Sequence, residues 1–413
     1  MAVVGLTGAS SGLGGQLLAQ LEVDPDVEAV VGIDDGSPPR GTWSKLRWVR
    51  RAAADPLDET FREHGVDAAI HLAGVAAEDD DAPAARGQRL ARARRFLDAC
   101  KAAGTGTVCL VSCATGYGAL PDNPELLFEG APLRAPDGYA AGRDQREIEA
   151  LCYDLLRERP DARLIVVRTS FVLGPNTTNP IARMLERKVV LAPGDGEALL
   201  QFVHEDDVVR AVLRLVKLEL VGVFNLAADG AVTLAQAARL AERRLVLLPA
   251  ALLRLLAWLC ARLGLPRPGG LAPGFVDYLV HPWLVAAVKV KSEAAFSFRY
   301  DTPRALLDWL EARAERTRGA AARVDLEPDV PFGGADPFDF GEAPEDVDDL
   351  LEEERQPSDD APAPAFDAAR SEPGAAAGEG APREEASTPA IDAPSAGVTV
   401  PGTDDARAPL PAE

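Results

Sequence analysis

Residues 4–14 read VGLTGASSGLG, and this stretch lies between the first apolar run and the first helix-like segment. A strand that leads through closely spaced glycines into a helix is typical of a dinucleotide-binding βα unit. Gly8 permits the tight turn, Gly12 lets backbone approach a pyrophosphate, and Gly14 allows close helix–strand packing. N–H groups and the dipole at the helix start favour an anion there. The predicted cofactor loop therefore comprises Gly8, Ser10, Ser11, Gly12, Leu13 and Gly14.

An acidic residue follows the second apolar run, in the stretch VGIDD at residues 31–35. Asp34 is placed to accept hydrogen bonds from the hydroxyls of an adenosine ribose. Because a carboxylate there repels a 2′-phosphate, NAD is favoured over NADP. Arg40, further along the chain, keeps NADP as the alternative.

Short apolar runs alternate with helix-like segments from residue 1 to about 228. Continuous apolar strands separated by helices indicate a parallel sheet that is covered on both faces. The predicted strands are Ala2–Thr7, Glu28–Asp34, Leu46–Val49, Asp67–His71, Thr107–Ser112, Arg163–Arg168 and Val221–Leu226. The predicted helices are Leu13–Glu22, Ala84–Ala103, Ala140–Glu158 and Asp206–Leu218. Right-handed crossovers then give an α/β fold with a Rossmann-like, doubly wound parallel sheet.

Composition divides the chain into three predicted parts. Residues 1–228 form the dinucleotide-binding domain, whose stretch 176–203 contributes to a smaller substrate lobe. Residues 229–318, with proline and glycine breakers, complete that lobe. Residues 319–413 form an Ala/Pro/Glu/Asp-rich tail that is expected to be disordered, because it cannot bury enough apolar area to offset its ordering entropy.

The charge lies mostly in that tail. The net charge is −22, and residues 331–413 hold 21 Asp+Glu against 4 Arg. This balance excludes a globally basic nucleic-acid binder. The five cysteines show no paired spacing and the four histidines form no ligand motif, which argues against a disulfide framework and a metal site. With no signal peptide and no run of about 18 uncharged apolar residues, the expected location is the cytoplasm.

Several dispersed motifs resemble the extended short-chain dehydrogenase/reductase superfamily, in its branch of NAD-dependent epimerases and dehydratases. The resemblance covers roughly residues 1–315. Besides the glycine-rich loop it rests on HLAG at 71–74, CATGYG at 113–118, RTSFVLGP at 168–175, FVHEDDV at 202–208 and FNLA at 224–227. The glycine spacing departs from the extended pattern, since Ser11 takes the usual place of the middle glycine. The resemblance implies that NAD also contacts Leu72, Ala73, Gly74 and Phe171. It further implies that Asp55 contacts the adenine, although a helix N-cap is an equally good reading of Asp55.

The family's catalytic hydroxyl position holds Cys113 here. A thiol is a weaker hydrogen-bond donor and acceptor than a hydroxyl. Ser112 is adjacent, but neighbouring side chains of an extended segment point to opposite faces.

The family's Y-x-x-x-K motif reads Tyr139-Ala-Ala-Gly-Arg143 in this chain. One helical turn separates Tyr139 from Arg143, so both side chains can face one ligand. Tyr139 is the predicted general acid/base. Arg143 supplies positive charge and ribose contacts, but its planar fork is larger than an ammonium and does not release its proton.

Two functions follow from this atypical set of Cys113, Tyr139 and Arg143. The first is an NAD-dependent oxidoreductase or epimerase acting on a hydroxyl or keto group of a nucleotide sugar or a lipophilic alcohol. The second is a catalytically weak or inactive NAD-binding sensor or scaffold that works through the acidic tail and an unknown protein partner. Helix-pair dimers are common in proteins that this chain resembles, so a homodimer is compatible with either function, but the sequence does not decide the oligomeric state.

The segment Pro249–Leu263 is predicted to form an amphipathic helix. It either packs over the substrate cleft or provides a greasy site or membrane-surface contact.

Overall fold

Seven parallel strands form the central sheet in the computed structural model, which describes residues 2–52, 55–72, 83–177, 179–265 and 267–321. These strands are β1 (Ala2–Thr7), β2 (Val27–Asp34), β3 (Leu46–Arg50), β4 (Ala68–Leu72), β5 (Thr107–Cys113), β7 (Arg163–Thr169) and β12 (Gly222–Leu226). Their order across the sheet is β12-β7-β5-β4-β1-β2-β3. Each predicted strand is present, with bounds shifted by at most one residue.

Ten α-helices accompany the sheet within the described ranges. They are α1 (Gly12–Val23), α2 (Asp58–His64), α3 (Pro83–Ala103), α4 (Ala140–Glu158), α5 (Pro180–Leu185), α6 (Glu205–Lys217), α7 (Leu234–Leu240), α8 (Ala250–Leu263), α9 (Val288–Glu293) and α10 (Thr302–Ala321). Three 3₁₀ segments lie at Ala114–Tyr117, Pro268–Gly270 and Pro273–Leu279.

The sheet is buried on both faces, as its apolar strands require. All seven residues of β5 and all five of β4 are buried. One face packs on α1 and α6, while the other packs on α2, α3 and α4. This is the predicted doubly wound α/β fold, which is thereby confirmed.

Short strand pairs join distant parts of the chain. They involve β6 (Leu126–Leu127), β8 (Phe171–Leu173), β9 (Val189–Pro193), β10 (Leu199–Leu200), β11 (Phe202–His204), β13 (Val232–Thr233), β14 (Arg244–Leu248) and β15 (Leu284–Val285). β9 pairs with β14 and β10 with β13, so the stretch 176–203 is bonded to the chain beyond residue 229. The pairs β8–β11 and β6–β15 are parallel.

The predicted start of the tail is placed slightly too early. Helix α10 continues to Ala321, beyond the expected boundary at residue 319. The rest of the predicted tail lies outside the described residues, and the division into 1–228 and 229–318 stays a prediction.

Candidate cofactor and active site

The glycine-rich loop closes on itself through Ser11, which caps α1. The Ser11 hydroxyl donates to the Gly8 carbonyl oxygen at 2.7 Å and accepts from the Gly14 N–H at 3.0 Å. Gly8 has φ = +78°, a conformation that favours glycine. The loop therefore presents the N-terminus of α1 at the carboxyl edge of the sheet, where ligands of doubly wound folds bind.

The other two glycines of the loop are required by protein contacts. A Cβ on Gly14 would lie 2.4 Å from the Gly8 carbonyl oxygen, so Gly14 allows the close packing expected of it. A Cβ on Gly12 would lie 2.0 Å from the carbonyl oxygen of Asn176. The chain after β8 thus crosses the start of α1, and Gly12 allows this close approach of protein backbone. The approach of a pyrophosphate at Gly12 stays a prediction.

Asp34 ends β2 beside this loop. Its carboxylate accepts hydrogen bonds from the backbone N–H groups of Ser10 at 3.0 Å and Asp35 at 2.8 Å. Burial favours the neutral acid, but these bonds from Ser10 and Asp35 outweigh it and lower the pKa of Asp34 below its usual value. Asp34 is therefore an anion fixed against the loop.

A cavity of about 330 Å³ opens between the loop and Asp34. The predicted cofactor residues that line it are Gly8, Ser10, Ser11, Asp34, Asp55 and Leu72. Among the described residues, Gly12, Leu13, Gly14, Phe171, Cys113, Tyr139 and Arg143 lie outside its lining. The predicted contacts Ala73 and Gly74 lie outside the described residues. The structure thus gathers six of the twelve predicted cofactor residues that it describes around one cavity.

Sequence reasoning missed the positive charge of this cavity. Four arginines line it, namely Arg51, Arg89, Arg92 and Arg95. The last three recur every third residue along α3, a spacing that places side chains on one helix face and was visible in the sequence. Arg40, which kept NADP as the alternative cofactor, is exposed and does not line the cavity.

Asp55 and His71 also contribute to the cavity wall. The Asp55 carboxylate accepts from the Ala52 N–H at 2.8 Å, while α2 is capped at Leu57 without a side-chain bond, so the N-cap reading of Asp55 is wrong. His71 is buried and stacks on Phe96 with ring centroids 4.9 Å apart. Burial, helped by the charge of Arg92, lowers the pKa of His71 to about 3, so the wall is neutral at this point.

Tyr139 lies at the start of α4 with its side chain fully buried, at 0% exposure. Its ring packs against Phe275 and Tyr278, with centroids 5.5 and 5.0 Å away. Both come from the 3₁₀ segment Pro273–Leu279. This segment therefore packs over the Tyr139 ring.

We call Phe275, Tyr278 and Trp283 the aromatic cover. The Tyr278 hydroxyl donates to the Thr115 carbonyl oxygen at 2.6 Å. Trp283 packs edge-on against Phe171, with centroids 5.0 Å apart. Two glycines make the close approach feasible, because a Cβ on Gly142 would lie 2.7 Å from the Tyr278 oxygen and one on Gly274 would lie 2.2 Å from the Gly138 oxygen.

Arg143 points its guanidinium at protein acceptors. Nε and Nη2 donate to Asp144 Oδ1 at 3.3 and 3.2 Å, and Nη1 donates to the Asp137 carbonyl oxygen at 3.3 Å. The buried Asp144 carboxylate also accepts hydrogen bonds from Arg89, from Nε at 2.9 Å and from Nη2 at 2.6 Å. Asp144 thus links the predicted active-site arginine to an arginine that lines the cavity.

Cys113 and Ser112 differ in their surroundings. Cys113 is buried at the end of β5. Ser112 donates to Glu149 at 2.6 Å and to Gln145 at 3.1 Å under α4. A catalytic role for Ser112 stays a prediction that would require its hydroxyl to leave this carboxylate.

Glu149 belongs to a buried network that holds several motifs together. Arg168 donates to Glu149 at 2.8 Å and to the Tyr117 hydroxyl at 2.7 Å, and Tyr117 donates to Asn225 at 2.9 Å. The network joins the middle of α4 to β7, β12 and the 3₁₀ segment Ala114–Tyr117. Glu149 carried no motif signal, since it is one of three glutamates on α4.

Glu205 fastens the loop after β8 to α1. Its buried carboxylate accepts from the Asn176 backbone N–H at 3.0 Å and from the Asn176 side chain at 2.9 Å, and it also contacts Gln16. Burial raises the pKa of Glu205, and the Asn176 bonds partly offset this. Glu205 follows His204, whose Nε2 lies 3.0 Å from Oδ2 of Asp308 on α10 and so links β11 to that helix.

No described helix combines the length and apolar character needed to cross a membrane.

The chain is similar to known proteins in sequence and in structure. An uncharacterised protein of Mycobacterium tuberculosis (strain ATCC 25618 / H37Rv) is 30% identical over 248 residues, which are 58% of this chain and 66% of that protein. The chain thus matches slightly less than two thirds of that relative's length.

Two solved structures share the fold at low identity. The UDP-glucose 4-epimerase of Thermotoga maritima with UDP-glucose has a TM-score of 0.60 at 18% identity. The UDP-glucuronic acid 4-epimerase from Bacillus cereus, in complex with UDP-glucuronic acid and NAD, has a TM-score of 0.59 at 16% identity. Each match covers 76% of this chain and 99% of the other.

The family model for the NAD dependent epimerase/dehydratase family matches residues 4–227, more than half of the chain. This match confirms the resemblance drawn from the motifs: the chain belongs to the NAD dependent epimerase/dehydratase family.

Proposed function

We propose that the protein is an NAD-dependent oxidoreductase or epimerase that acts on a hydroxyl or keto group of a small-molecule substrate. The observation that carries this proposal is the ionised Asp34 held against the Ser10 N–H at the mouth of the cavity. A fixed carboxylate one strand away from a helix N-terminus suits the ribose and pyrophosphate of a dinucleotide.

The residues around the cavity fit the adenosine end of NAD. Asp34 would accept from the ribose hydroxyls, Asp55 and Leu72 would flank the adenine, and the start of α1 with the cavity arginines would receive the phosphates. When bound, NAD supplies reversible hydride transfer. Because Tyr139 is buried, the nicotinamide end of NAD would reach it only if the aromatic cover were displaced.

Tyr139 would donate or remove the proton of the reacting oxygen at its hydroxyl. Arg143 cannot give up a proton, so its contribution is positive charge near Tyr139 and the ribose. Asp144 partly neutralises that charge, because it pairs with Arg143 and Arg89 together. Cys113, buried at the hydroxyl position of the family motif, would hold the substrate oxygen only weakly.

The substrate class has two candidates. The neighbouring structures hold UDP-glucose and UDP-glucuronic acid, which supports a nucleotide sugar. The aromatic surroundings of Tyr139 support a lipophilic alcohol.

The test is turnover by the full chain. Purified protein is mixed with NAD and a panel of nucleotide sugars and lipophilic alcohols, and NADH absorbance and product formation are followed. We expect one class to react, and Tyr139→Phe to abolish turnover while NAD affinity is retained. An active Tyr139→Phe variant would remove Tyr139 from the acid/base role.

The second candidate, a weak or inactive NAD-binding sensor or scaffold, is favoured by the same buried Tyr139 and paired Arg143. The double variant Cys113→Ser with Arg143→Lys separates the two. If wild type is inert and the double variant gains activity, the protein is a binding scaffold derived from an enzyme. If wild type turns over and the double variant is no better, the enzyme proposal holds.

The homodimer, the protein partner of the acidic tail and the cytoplasmic location stay predictions from the sequence.

A further inference from the structure

Helix α8 exposes most of its apolar side chains. Leu253 and Ala257 are the buried residues of α8, and they form a narrow stripe one turn long. Six large hydrophobic residues in 252–265 are between 41% and 62% exposed: Leu252, Leu255, Trp258, Leu259, Leu263 and Leu265. We call these six residues the α8 face. The surface of a soluble monomeric protein rarely concentrates apolar side chains in this way unless the patch binds a partner.

The charge around the α8 face is positive on balance. Residues 242–277 contain five arginines against two acidic residues, Glu242 and Asp277, although the chain as a whole carries a net charge of −22. Asp277 pairs with Arg254 of α8, with Nη2 and Oδ1 2.6 Å apart. Arg262 is exposed among the leucines, with its guanidinium 5.7 Å from the centre of the Trp258 ring. Leucines with an interfacial tryptophan and arginines that reach past them are the composition of helices that lie in the headgroup region of an anionic bilayer.

We propose that the α8 face docks the protein on an anionic lipid surface. With 14 residues, α8 is shorter than the roughly 20 residues that a spanning helix needs. It would therefore lie along the surface, with its leucines among the acyl chains and its arginines at the phosphates. The proposal does not depend on the proposed enzymatic function.

Two other occupants fit the α8 face less well. In a two-fold dimer through this face, the net positive charge of residues 242–277 would meet the same charge on the second copy. The acidic tail, with DPFDF at 336–340, has the right charge. However, a helix exposed over most of its circumference offers no groove for a peptide.

The test is co-sedimentation of the full chain with vesicles. We expect binding to vesicles of phosphatidylcholine mixed with phosphatidylglycerol, weaker binding to phosphatidylcholine alone, and loss of binding in high salt. The double variant Leu255→Ser with Trp258→Ser should bind at least about tenfold more weakly. The control, Leu218→Ser with Val221→Ser, removes two comparably exposed residues elsewhere and should bind like wild type.

A charge variant gives a second test that leaves the apolar side chains of α8 in place. Arg262→Glu should also weaken binding to anionic vesicles, whereas Arg157→Glu, on the exposed surface of α4, should not. Circular dichroism checks that each variant is folded. Absence of vesicle binding, or equal binding by the α8 and control variants, would overturn the proposal.

Two further results would also overturn it by identifying another occupant. One is a dimer in sedimentation velocity that the α8 double variant abolishes, together with no vesicle binding. The other is no vesicle binding by wild type or by the variant Phe338→Ser with Phe340→Ser, together with faster hydrogen exchange of α8 in that variant, which would identify the tail as the occupant of the α8 face.

Discussion

The hydroxyl of Tyr278 donates a hydrogen bond to the carbonyl oxygen of Thr115 and occupies the space that a side chain at position 142 would need. The residues belong to segments more than a hundred positions apart, and their contact closes the aromatic cover over Tyr139. The closed position of the cover over Tyr139, the predicted acid/base, therefore depends on the absence of a side chain at Gly142.

Replacement of Gly142 by alanine should destabilise the cover. The new Cβ would lie 2.7 Å from both the Tyr278 hydroxyl and the Thr115 carbonyl oxygen, and the latter is backbone that cannot easily move. We expect a loss of about 1–3 kcal/mol in the free energy of unfolding. Hydrogen exchange in residues 273–279 should accelerate, as measured by mass spectrometry.

A glycine on α3 provides the matched control. A Cβ on Gly87 would meet no atom within 4 Å, so Gly87→Ala should stabilise the protein by about 0.5–1 kcal/mol through helix propensity. If Gly142→Ala is as harmless as Gly87→Ala, the contact with Tyr278 does not hold the cover closed.

Asp34→Asn should change the cofactor preference. The amide keeps an acceptor for the Ser10 N–H but loses the negative charge that strengthens ribose binding and repels a 2′-phosphate. We expect NAD affinity to fall by about tenfold or more, and NADP affinity to fall less or to rise. Isothermal titration calorimetry measures both. An unchanged ratio of the two affinities would remove Asp34 from this role.

Arg168→Met should be among the most destabilising single changes. It leaves the Glu149 carboxylate buried without its guanidinium partner, which costs about 3–5 kcal/mol. The double change Arg168→Met with Glu149→Leu should cost less than Arg168→Met alone, because no uncompensated charge remains. Urea unfolding measures both, and Arg157→Met, which breaks an exposed ion pair, should have little effect. A double variant less stable than the single one would contradict the role of buried charge.

Stability at acidic pH should depend on His71. In the unfolded chain this imidazole takes up a proton near its ordinary pKa of 6.5, whereas the pKa in the folded protein is about 3. The unfolded state therefore binds more protons between these values, and stability falls as the pH falls through this range. Relative to His71→Gln, wild type should lose up to about 1.4 kcal/mol per pH unit below pH ~6.5.

Denaturant unfolding at a series of pH values from about 7.5 to about 4 measures this slope. Parallel slopes for wild type and His71→Gln would mean that the buried imidazole does not remain neutral.

The central sheet could be predicted from the sequence because each strand is a continuous apolar run with turn residues at its ends. β1 was predicted without error, and β5 was one residue longer than expected because Cys113 is also buried and bonded in the sheet. The amphipathic signal of α4 was equally clear, and its bounds agree. Helix α2 was missed, since seven residues with one large apolar side chain carry little periodicity.

The candidate site was predicted only where its residues are close in sequence or share a strand edge. Asp34 and the Ser10–Ser11 loop meet as expected. The carbonyl of Asn176 against Gly12, and Phe275 and Tyr278 against Tyr139, could not be predicted, because such contacts depend on how distant segments pack. Arg143 is oriented by its ion pair with the neighbouring Asp144. The sequence does not reveal that Asp144 is buried, so this orientation could not be predicted.

The pairing of β9 with β14 and of β10 with β13 has a consequence for biosynthesis. Strands β9 and β10 leave the ribosome before the last strand of the central sheet, yet their partners follow it. A nascent chain that has just completed the sheet must hold β10 unpaired until residue 233 emerges and β9 unpaired until residue 248 emerges. Cleavage or premature termination near residue 228 would likewise leave two open strand edges exposed to other chains.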